Sequence, residues 1–214
     1  MMEESRLAQV HATAEIETGV HLGDGTAVWS HTHIRGPGTS LGEGCIVGER
    51  TYIAYGVAIG NRVKINAGVY VCTGVTLGDG VMIGAGAIFT NDRYPRATTP
   101  DLHTLRTSAP DDRTRPTTVE DGATVGAGSV IGCDLTIGKF AMVGMGAVVT
   151  RSVAPFHLVV GQPARPVAIV SRVGEPLVRF SGAKAPDRDL LTCPASGLHY
   201  AIRDGVVEEL DPPS

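Results

Sequence analysis

The sequence predicts an all-β fold in which short parallel strands coil into a three-sided solenoid. Three observations predict it: aliphatic residues recur at every sixth position, glycine often follows them, and a small or β-branched residue stands four positions after them. A period of six does not match the 3.6-residue turn of an α-helix, whereas it suits a short strand followed by a corner. Three such units close a coil of about 18 residues, and stacked coils form parallel ladders about 4.8 Å apart.

The aliphatic positions fall into two blocks, enough for about six to seven coils. They are Val10, Ile16, Leu22, Val28, Ile34, Leu41, Val47, Ile53, Ile59, Ile65, Val71, Leu77, Ile83 and Phe89, followed after an interruption by Val119, Val125, Ile131, Ile137, Val143 and Val149. The seven-residue step from Ile34 to Leu41 indicates a bulged corner. We expect the glycine after each aliphatic residue to adopt backbone conformations that a side chain would forbid.

The domain organisation follows from where this period holds. We expect the solenoid over residues 8–153, with an inserted loop at 90–118, a capping segment at 154–170 and a C-terminal extension at 171–214. The extension contains a hairpin over 198–210 with Asp204-Gly205 at its turn. The loop is polar and carries five arginines among four aspartates, which suits either a solvated surface loop or an arm that binds phosphate groups beside an active site.

Composition and charge exclude several function classes. A net charge of −4 argues against a general binder of nucleic acid or anionic membranes. The first residues show neither a secretory signal nor a membrane span, so we expect a cytoplasmic protein. The four cysteines lie far apart without a C-x-x-C pair, which argues against a disulfide framework and a zinc site, and we expect no metal.

The repeat pattern and its closing segment resemble one family. The pattern [LIV]-G-x-x-[STAV]-x, followed by Pro155 to Arg165 as P-x-x-x-V-x-G-x-P-A-R, is similar to the hexapeptide-repeat acyltransferases. The resemblance implies a left-handed parallel β-helix, whereas the general rule for parallel crossovers favours the right-handed sense. It also implies a homotrimer with active sites between subunits and acetyl-CoA as acyl donor.

Two segments narrow this resemblance. Trp29 to Ile34 and Thr90 to Ala97, read as W-x-x-x-H-I and T-N-D-x-x-P-R-A, resemble bacterial N-acetyltransferases that acylate the 3-amino group of nucleotide-linked amino sugars for cell-surface glycans. The resemblance therefore implies an acetyl-CoA-dependent N-acetyltransferase. The chain departs from relatives after Ile65, where they carry glutamine and a further asparagine or serine and this chain has Asn66-Ala67-Gly68, which implies a different sugar substrate or an inactive member.

Acetyl transfer to an amine needs an unprotonated amine, a polarised thioester carbonyl and a path for the proton. We expect His33 to act as general base. In the alternative the amine arrives neutral, no base is needed, and Asn66 and Asn91 orient the amine and the carbonyl. The expected catalytic residues are His33, Asn66 and Asn91. Expected substrate-binding residues are His31, Asp92, Tyr94 and Arg96. Expected coenzyme-A-binding residues are Gly126, Ala127, Gly144, Met145 and Arg165.

Three alternatives remain open at the level of sequence. An O-acetyltransferase acting on a small hydroxyl acceptor would need a histidine beside the loop, and His103 is the only histidine between Val63 and Val149. A zinc enzyme on the same fold would need three histidine ligands, for which a third partner to His31 and His33 is missing. A non-catalytic scaffold would not need the arginine-rich loop or the closing segment.

Overall fold

The computed structural model describes residues 7–182 and 184–213, and in this part of the chain all regular secondary structure is β. Within these residues there is no helix that is long and apolar enough to cross a membrane.

The strands are short and follow the six-residue period, three to a coil. In chain order they are β1 (Gln9–Val10), β2 (Glu15–Ile16), β3 (His21–Leu22), β4 (Ala27–Val28), β5 (His33–Ile34), β6 (Ser40–Leu41), β7 (Ile46–Val47), β8 (Tyr52–Ile53), β9 (Ala58–Ile59), β10 (Lys64–Ile65), β11 (Tyr70–Val71), β12 (Val75–Leu77), β13 (Met82–Ile83), β14 (Ile88–Phe89), β15 (Thr117–Val119), β16 (Thr124–Val125), β17 (Val130–Ile131), β18 (Leu135–Ile137), β19 (Met142–Val143), β20 (Val148–Val149), β21 (His157–Val160), β22 (Arg165–Val170), β23 (Pro176–Arg179), β24 (Arg188–Thr192), β25 (His199–Arg203) and β26 (Val206–Glu209).

Strands that occupy the same place in successive coils pair in parallel and build three faces. The first face contains β1, β4, β7, β10, β13, β16 and β19, the second contains β2, β5, β8, β11, β14, β17 and β20, and the third contains β3, β6, β9, β12, β15 and β18. We call the corner between the first and the second face the first edge. The second edge is the corner between the second and the third face. The third edge is the corner between the third face and the first face of the next coil. The predicted parallel β-helix is confirmed, with six full coils and a seventh closed by the bridge between Ile137 and Val153.

The interior of the solenoid consists of the predicted aliphatic positions. From Val28 to Val149 each of these residues is at least 95% buried, and the threonines, cysteine, valines, alanines and serine four positions later are buried with them. The exception is the first coil, where Val10 is 43% exposed and Ile16 and Leu22 are only partly buried. This coil has a neighbouring coil on one side only, so its inward residues cannot be fully covered.

The glycines after the aliphatic residues serve a purpose different from the expected one. A Cβ on Gly48 would lie 2.6 Å from the backbone nitrogen of Ala67, and one on Gly126 would lie 2.6 Å from that of Met145. The positive φ angles belong instead to glycines two positions later, such as Gly86, which follows Gly84 and has a φ of 67°. The first set is therefore required by the close approach of the next coil, and only the second set by the backbone conformation.

The inserted loop leaves the solenoid at the second edge of the fifth coil. Because β14 ends at Phe89 and β15 begins at Thr117, the loop spans 90–116, and Thr117 and Thr118 belong to the strand that follows. Its two ends are held together by the Arg115 N–H, which donates to the Asn91 carbonyl over 2.8 Å, and by an antiparallel bridge between Asp92 and Thr114.

The C-terminal part continues the first face and then adds a small sheet. Strand β21 pairs in parallel with β19, and β22 and β23 follow antiparallel, so the sheet crosses the expected boundary at residue 170. Strands β24, β25 and β26 form an antiparallel sheet in which Asp204 and Gly205 make the turn of the β25–β26 hairpin. Tyr200 of this sheet packs with Phe156, which stacks on Phe140 at a ring distance of 5.3 Å.

Candidate functional site

The first edge presents a column of residues that follow one another from coil to coil. Backbone hydrogen bonds along the edge run from Gly48 to Ile65, from Asn66 to Ile83, from Gly84 to Val125 and from Gly126 to Val143. Towards the C-terminal coils the column reads Trp29, Gly48, Asn66, Gly84, Gly126 and Gly144, and the residues directly after the last four are Ala67, Ala85, Ala127 and Met145. From Asn66 to Gly144 the edge is therefore a strip of mostly small residues that runs over four coils.

Asn66 is the one residue of this strip that carries a polar side chain. Its backbone carbonyl accepts a hydrogen bond from the Thr51 hydroxyl at 3.1 Å, which fixes the corner. Its side chain is half-buried, and within the described residues its amide has no hydrogen-bond partner. Asn66 can therefore offer both a donor and an acceptor to a ligand on the strip.

The late end of the same strip carries the residues expected to bind coenzyme A. Gly126, Ala127 and Gly144 lie on the edge, and Met145 is 85% exposed. The Gln162 side chain donates to the Gly146 carbonyl over 2.7 Å, which fixes the closing segment at this corner. The exposed Arg165 begins β22 three residues later, so it lies at the same end of the solenoid.

The second edge carries the other group of predicted residues, at the start of the inserted loop. The Asn91 side-chain amide donates to the Thr73 carbonyl over 3.2 Å, and an Asp92 carboxylate oxygen accepts the Tyr94 N–H at 2.9 Å. These two side chains shape the base of the loop. Tyr94, which is 72% exposed, and Arg96, which is also exposed, project from it and are available to a ligand.

His33 lies on the second face within a cluster of hydrogen bonds centred on Glu17. The Glu17 carboxylate accepts from His33 Nε2 at 3.0 Å, from Arg35 Nε at 3.1 Å and from the Gly36 N–H at 3.1 Å. Desolvation acts most strongly on the Glu17 carboxyl and raises its pKa, but these three donors together outweigh it and hold the pKa below its ordinary value. Because a carboxylate only accepts, Nε2 of His33 carries a proton and Nδ1 is the ring atom left to accept one.

Two tyrosines extend this cluster along the second face. Tyr52 lies edge-on to the His33 ring at a ring distance of 5.6 Å and stacks on Tyr70 at 5.2 Å. The sequence reasoning did not single out Glu17, Tyr52 or Tyr70. Residues about 18 positions apart in the sequence lie side by side in adjacent coils, so the spacing of these residues from His33 is the signal that indicates them.

A single copy of the chain does not bring the predicted catalytic residues together. Asn66 and Asn91 lie at opposite edges of the second face, one coil apart. His33 lies three coils before Asn91, which corresponds to about 14 Å along the axis. His31 is exposed on the first edge of the second coil, with a φ of 56°.

Residues 7–182 and 184–213 contain no group of three or more histidine, cysteine, aspartate or glutamate side chains that could hold a metal ion.

Comparison with known proteins identifies the repeat. The model described as bacterial transferase hexapeptide (six repeats) matches residues 56–91, and the model described as hexapeptide repeat of succinyl-transferase matches residues 38–73 and 116–151. Residues 38–91 and 116–151 therefore carry the hexapeptide repeat that these models describe, and the resemblance predicted from the sequence is confirmed.

The curated proteins and solved structures that are similar to this chain include two acetyltransferases. The dTDP-3-amino-3,6-dideoxy-alpha-D-galactopyranose 3-N-acetyltransferase of Aneurinibacillus thermoaerophilus is 38% identical over 94 residues, which are 44% of this chain and 45% of that protein. The acetyltransferase domain of PglB from Neisseria gonorrhoeae, also solved in complex with acetyl coenzyme A, has a TM-score of 0.50 at 20% identity and is matched over 76% of this chain and 58% of that chain. The matches thus span about half the length of each relative, and the structural likeness establishes the fold.

Proposed function

We propose that this chain transfers the acetyl group of acetyl-CoA to the amino group of a nucleotide-linked amino sugar. The observation that carries the proposal is the strip of small residues on the first edge, which runs from Met145 to the unpartnered amide of Asn66. Coenzyme A is long and thin, and a narrow strip of mostly small residues along the axis suits it. The similarity to a nucleotide-sugar 3-N-acetyltransferase supports the same acceptor class.

The transfer needs no enzyme nucleophile. The acceptor amine attacks the thioester carbonyl, the carbon–sulfur bond breaks, and the thiolate leaves while the amine loses a proton. The Asn66 amide would donate to the carbonyl oxygen as negative charge develops on it. Nδ1 of His33 is our candidate acceptor for the proton, and an amine that arrives neutral would dispense with that step.

The arrangement of the residues supports a site shared between copies of the chain. The strip with Asn66 and the loop base with Asn91 occupy opposite edges of the second face, so two copies packed side by side would bring one edge of each together. Exposed apolar side chains support such packing. Tyr70 and Ile88 lie on the second face, and Met82 lies on the first face. We propose a homotrimer, because closed symmetry gives every copy both neighbours.

We propose a role in this assembly for each of the regions predicted from the sequence. Residues 8–153 with the loop provide the site, with Asp92, Tyr94 and Arg96 on the sugar nucleotide and Arg165 on a phosphate of coenzyme A. Residues 154–170 cap the solenoid and 171–214 extend the cap. Acetyl-CoA is an intracellular metabolite, and we propose the cytoplasm as the place of reaction.

The test is release of free coenzyme A, followed with a thiol reagent in the presence of acetyl-CoA and a panel of UDP- and dTDP-linked 3-amino sugars. Release with one sugar and not with its 3-hydroxy counterpart supports the proposal and names the acceptor. Binding of acetyl-CoA without release on any amino sugar contradicts the proposed acceptor class. Absence of acetyl-CoA binding contradicts the proposal as a whole.

A further inference from the structure

The inserted loop lines an open cavity that is distinct from the strip on the first edge. The cavity has a volume of about 790 Å³, within the usual range for small-molecule sites. Its lining residues are Arg93, Tyr94, Pro95, Arg96, Thr98, Thr99, Pro100, Leu102, Arg106 and Arg113. Four arginines and no acidic residue therefore line one cavity, in a chain whose net charge is −4.

The loop around this cavity is ordered by its own hydrogen bonds. The Arg106 N–H donates to the Ala97 carbonyl over 2.9 Å, and a bridge between Thr98 and Leu105 closes the turn. Together with the pairing at the base of the loop, these contacts hold the arginines in place before any ligand arrives. A preformed arrangement of this kind reduces the entropy lost on binding.

Arg106 shows that the positive charge is only partly neutralised. Its side chain is 18% exposed, and Nη1 is buried with no hydrogen-bond partner in the described part of the chain. Nη2 lies 3.6 Å from an Asp111 carboxylate oxygen, which is an ion pair rather than a hydrogen bond. A buried guanidinium N–H without an acceptor is unfavourable, so this group favours an anionic ligand that can reach it.

The remaining arginines of the cavity add to this preference. Arg93 pairs at 3.5 Å with the carboxylate of Asp134 at the surface. Arg96 and Arg113 form no ion pair within 4.0 Å among residues 7–182 and 184–213. Arginine presents a planar fork of donors that matches the oxygens of phosphate groups. Tyr94 adds an exposed ring on which a nucleobase can stack.

From these observations we infer that the loop cavity binds the diphosphate of a nucleotide, with Arg106 and Arg113 as its principal contacts. The identity of that nucleotide rests on the proposed function. A nucleotide-linked sugar and coenzyme A both carry a diphosphate, and the position of the cavity at the second edge, away from the strip, favours the sugar nucleotide.

The test is calorimetric titration of the full chain with UDP, dTDP and coenzyme A, comparing wild type with R106Q and R113Q. Loss of one charge-assisted hydrogen bond predicts that each substitution weakens the binding of its ligand by about tenfold or more. R203Q, which removes an exposed arginine of β25 outside the loop, is the matched control and should leave all three affinities unchanged. R106K retains the charge but not the fork, and should recover only part of the affinity.

The outcomes separate the two sources of the diphosphate. A loss confined to UDP or dTDP assigns the cavity to the sugar nucleotide, and a loss confined to coenzyme A assigns it to the acyl donor. Both support the inference. Unchanged affinities in R106Q and in R113Q overturn it, as does a wild-type chain that binds none of the three ligands. Because binding is measured without turnover, a chain that binds a nucleoside diphosphate through these arginines but never releases coenzyme A would contradict the proposed function and leave this inference standing.

Discussion

Glu17 organises the second face around His33 although it belongs to the preceding coil. Its carboxylate takes three donors from the following coil, so it fixes both the bulged corner at Gly36 and the orientation of the imidazole. The same contacts serve stability and a role of His33 as base. Comparing the pH dependence of stability in wild type and in a Glu17 variant isolates the contribution of this carboxylate to stability.

We predict that E17Q lowers the melting temperature at pH 7 and that this difference shrinks towards pH 3. The folded-state pKa of Glu17 lies below its ordinary value of 4.5, so its stabilising contribution is present above that value and is lost as the pH falls through the folded pKa. E49Q, at an exposed corner, is the control with little effect at either pH. A melting-temperature difference that persists unchanged at pH 3 would argue against a charge effect.

Substitution of Asn66 and substitution of Asn61 are expected to have different effects. We expect Asn66 to matter for activity and Asn61 to matter for stability. Asn61 lies on the third edge, where its side-chain oxygen accepts the Glu43 N–H at 3.0 Å. We predict that N66A lowers kcat/KM for acetyl transfer by about 100-fold with little change in melting temperature. N61A should lower the melting temperature and retain the activity. Full activity in N66A would remove this residue from the proposed chemistry.

At the scale of the coils, the stacking distance rather than the backbone angle decides which glycines are indispensable. Gly48 and Gly68 lie on the same edge in adjacent coils, yet a Cβ would be 2.6 Å from backbone at Gly48 and would meet nothing within 4 Å at Gly68. We predict that G48A destabilises the chain by about 3 kcal/mol, whereas the positive φ of Gly68 limits the effect of G68A to about 1 kcal/mol. Urea unfolding of both variants measures the difference, and equal losses would contradict this explanation.

The C-terminal sheet depends on one buried phenol. Tyr200 is fully buried, burial raises the pKa of its phenol, and its oxygen accepts the Arg172 N–H at 3.1 Å. We predict that Y200F destabilises the chain by about 1–3 kcal/mol, because it leaves that N–H without an acceptor. The exposed Tyr94 provides the comparison, and Y94F should change the free energy of unfolding very little. Similar values for both variants would show that the hydrogen bond contributes nothing.

The elements that could be predicted from the sequence are those that repeat. The aliphatic positions from Val28 to Val149 identified the strands because each must point into the same narrow interior. The lack of a six-residue period predicts the loop. Because Thr117 and Thr118 are polar, the sequence predicts a loop end at Thr118, whereas both residues belong to β15. In the tail only the hairpin was anticipated, since β24, which begins Arg188-Asp189, carries no alternating pattern.

The candidate site was less predictable because it depends on contacts between coils. The motifs identified Asn66 and Asn91 as separate signals, and only the fold shows that they occupy opposite edges of one face. Likewise, five arginines in the loop indicated phosphate binding, but which of them share a cavity depends on how the loop folds back on itself.

At the level of the assembly, the proposed acetyl transfer requires that one copy supplies Asn66 and its neighbour supplies Asn91. Neither residue can meet the other within one chain, so an isolated copy should be inactive. In the proposed assembly, this requirement connects the packing of the copies to the chemistry.

The most direct measurement is acetyl transfer by assemblies that contain N66A and N91A chains mixed in equal amounts. Each variant alone should be nearly inactive, with its melting temperature and loop structure checked against wild type. In mixed trimers about a quarter of the sites combine an intact Asn66 with an intact Asn91 from the neighbour, so about a quarter of wild-type activity should return. Mixed assemblies that stay as inactive as the separate variants would contradict a site shared between copies.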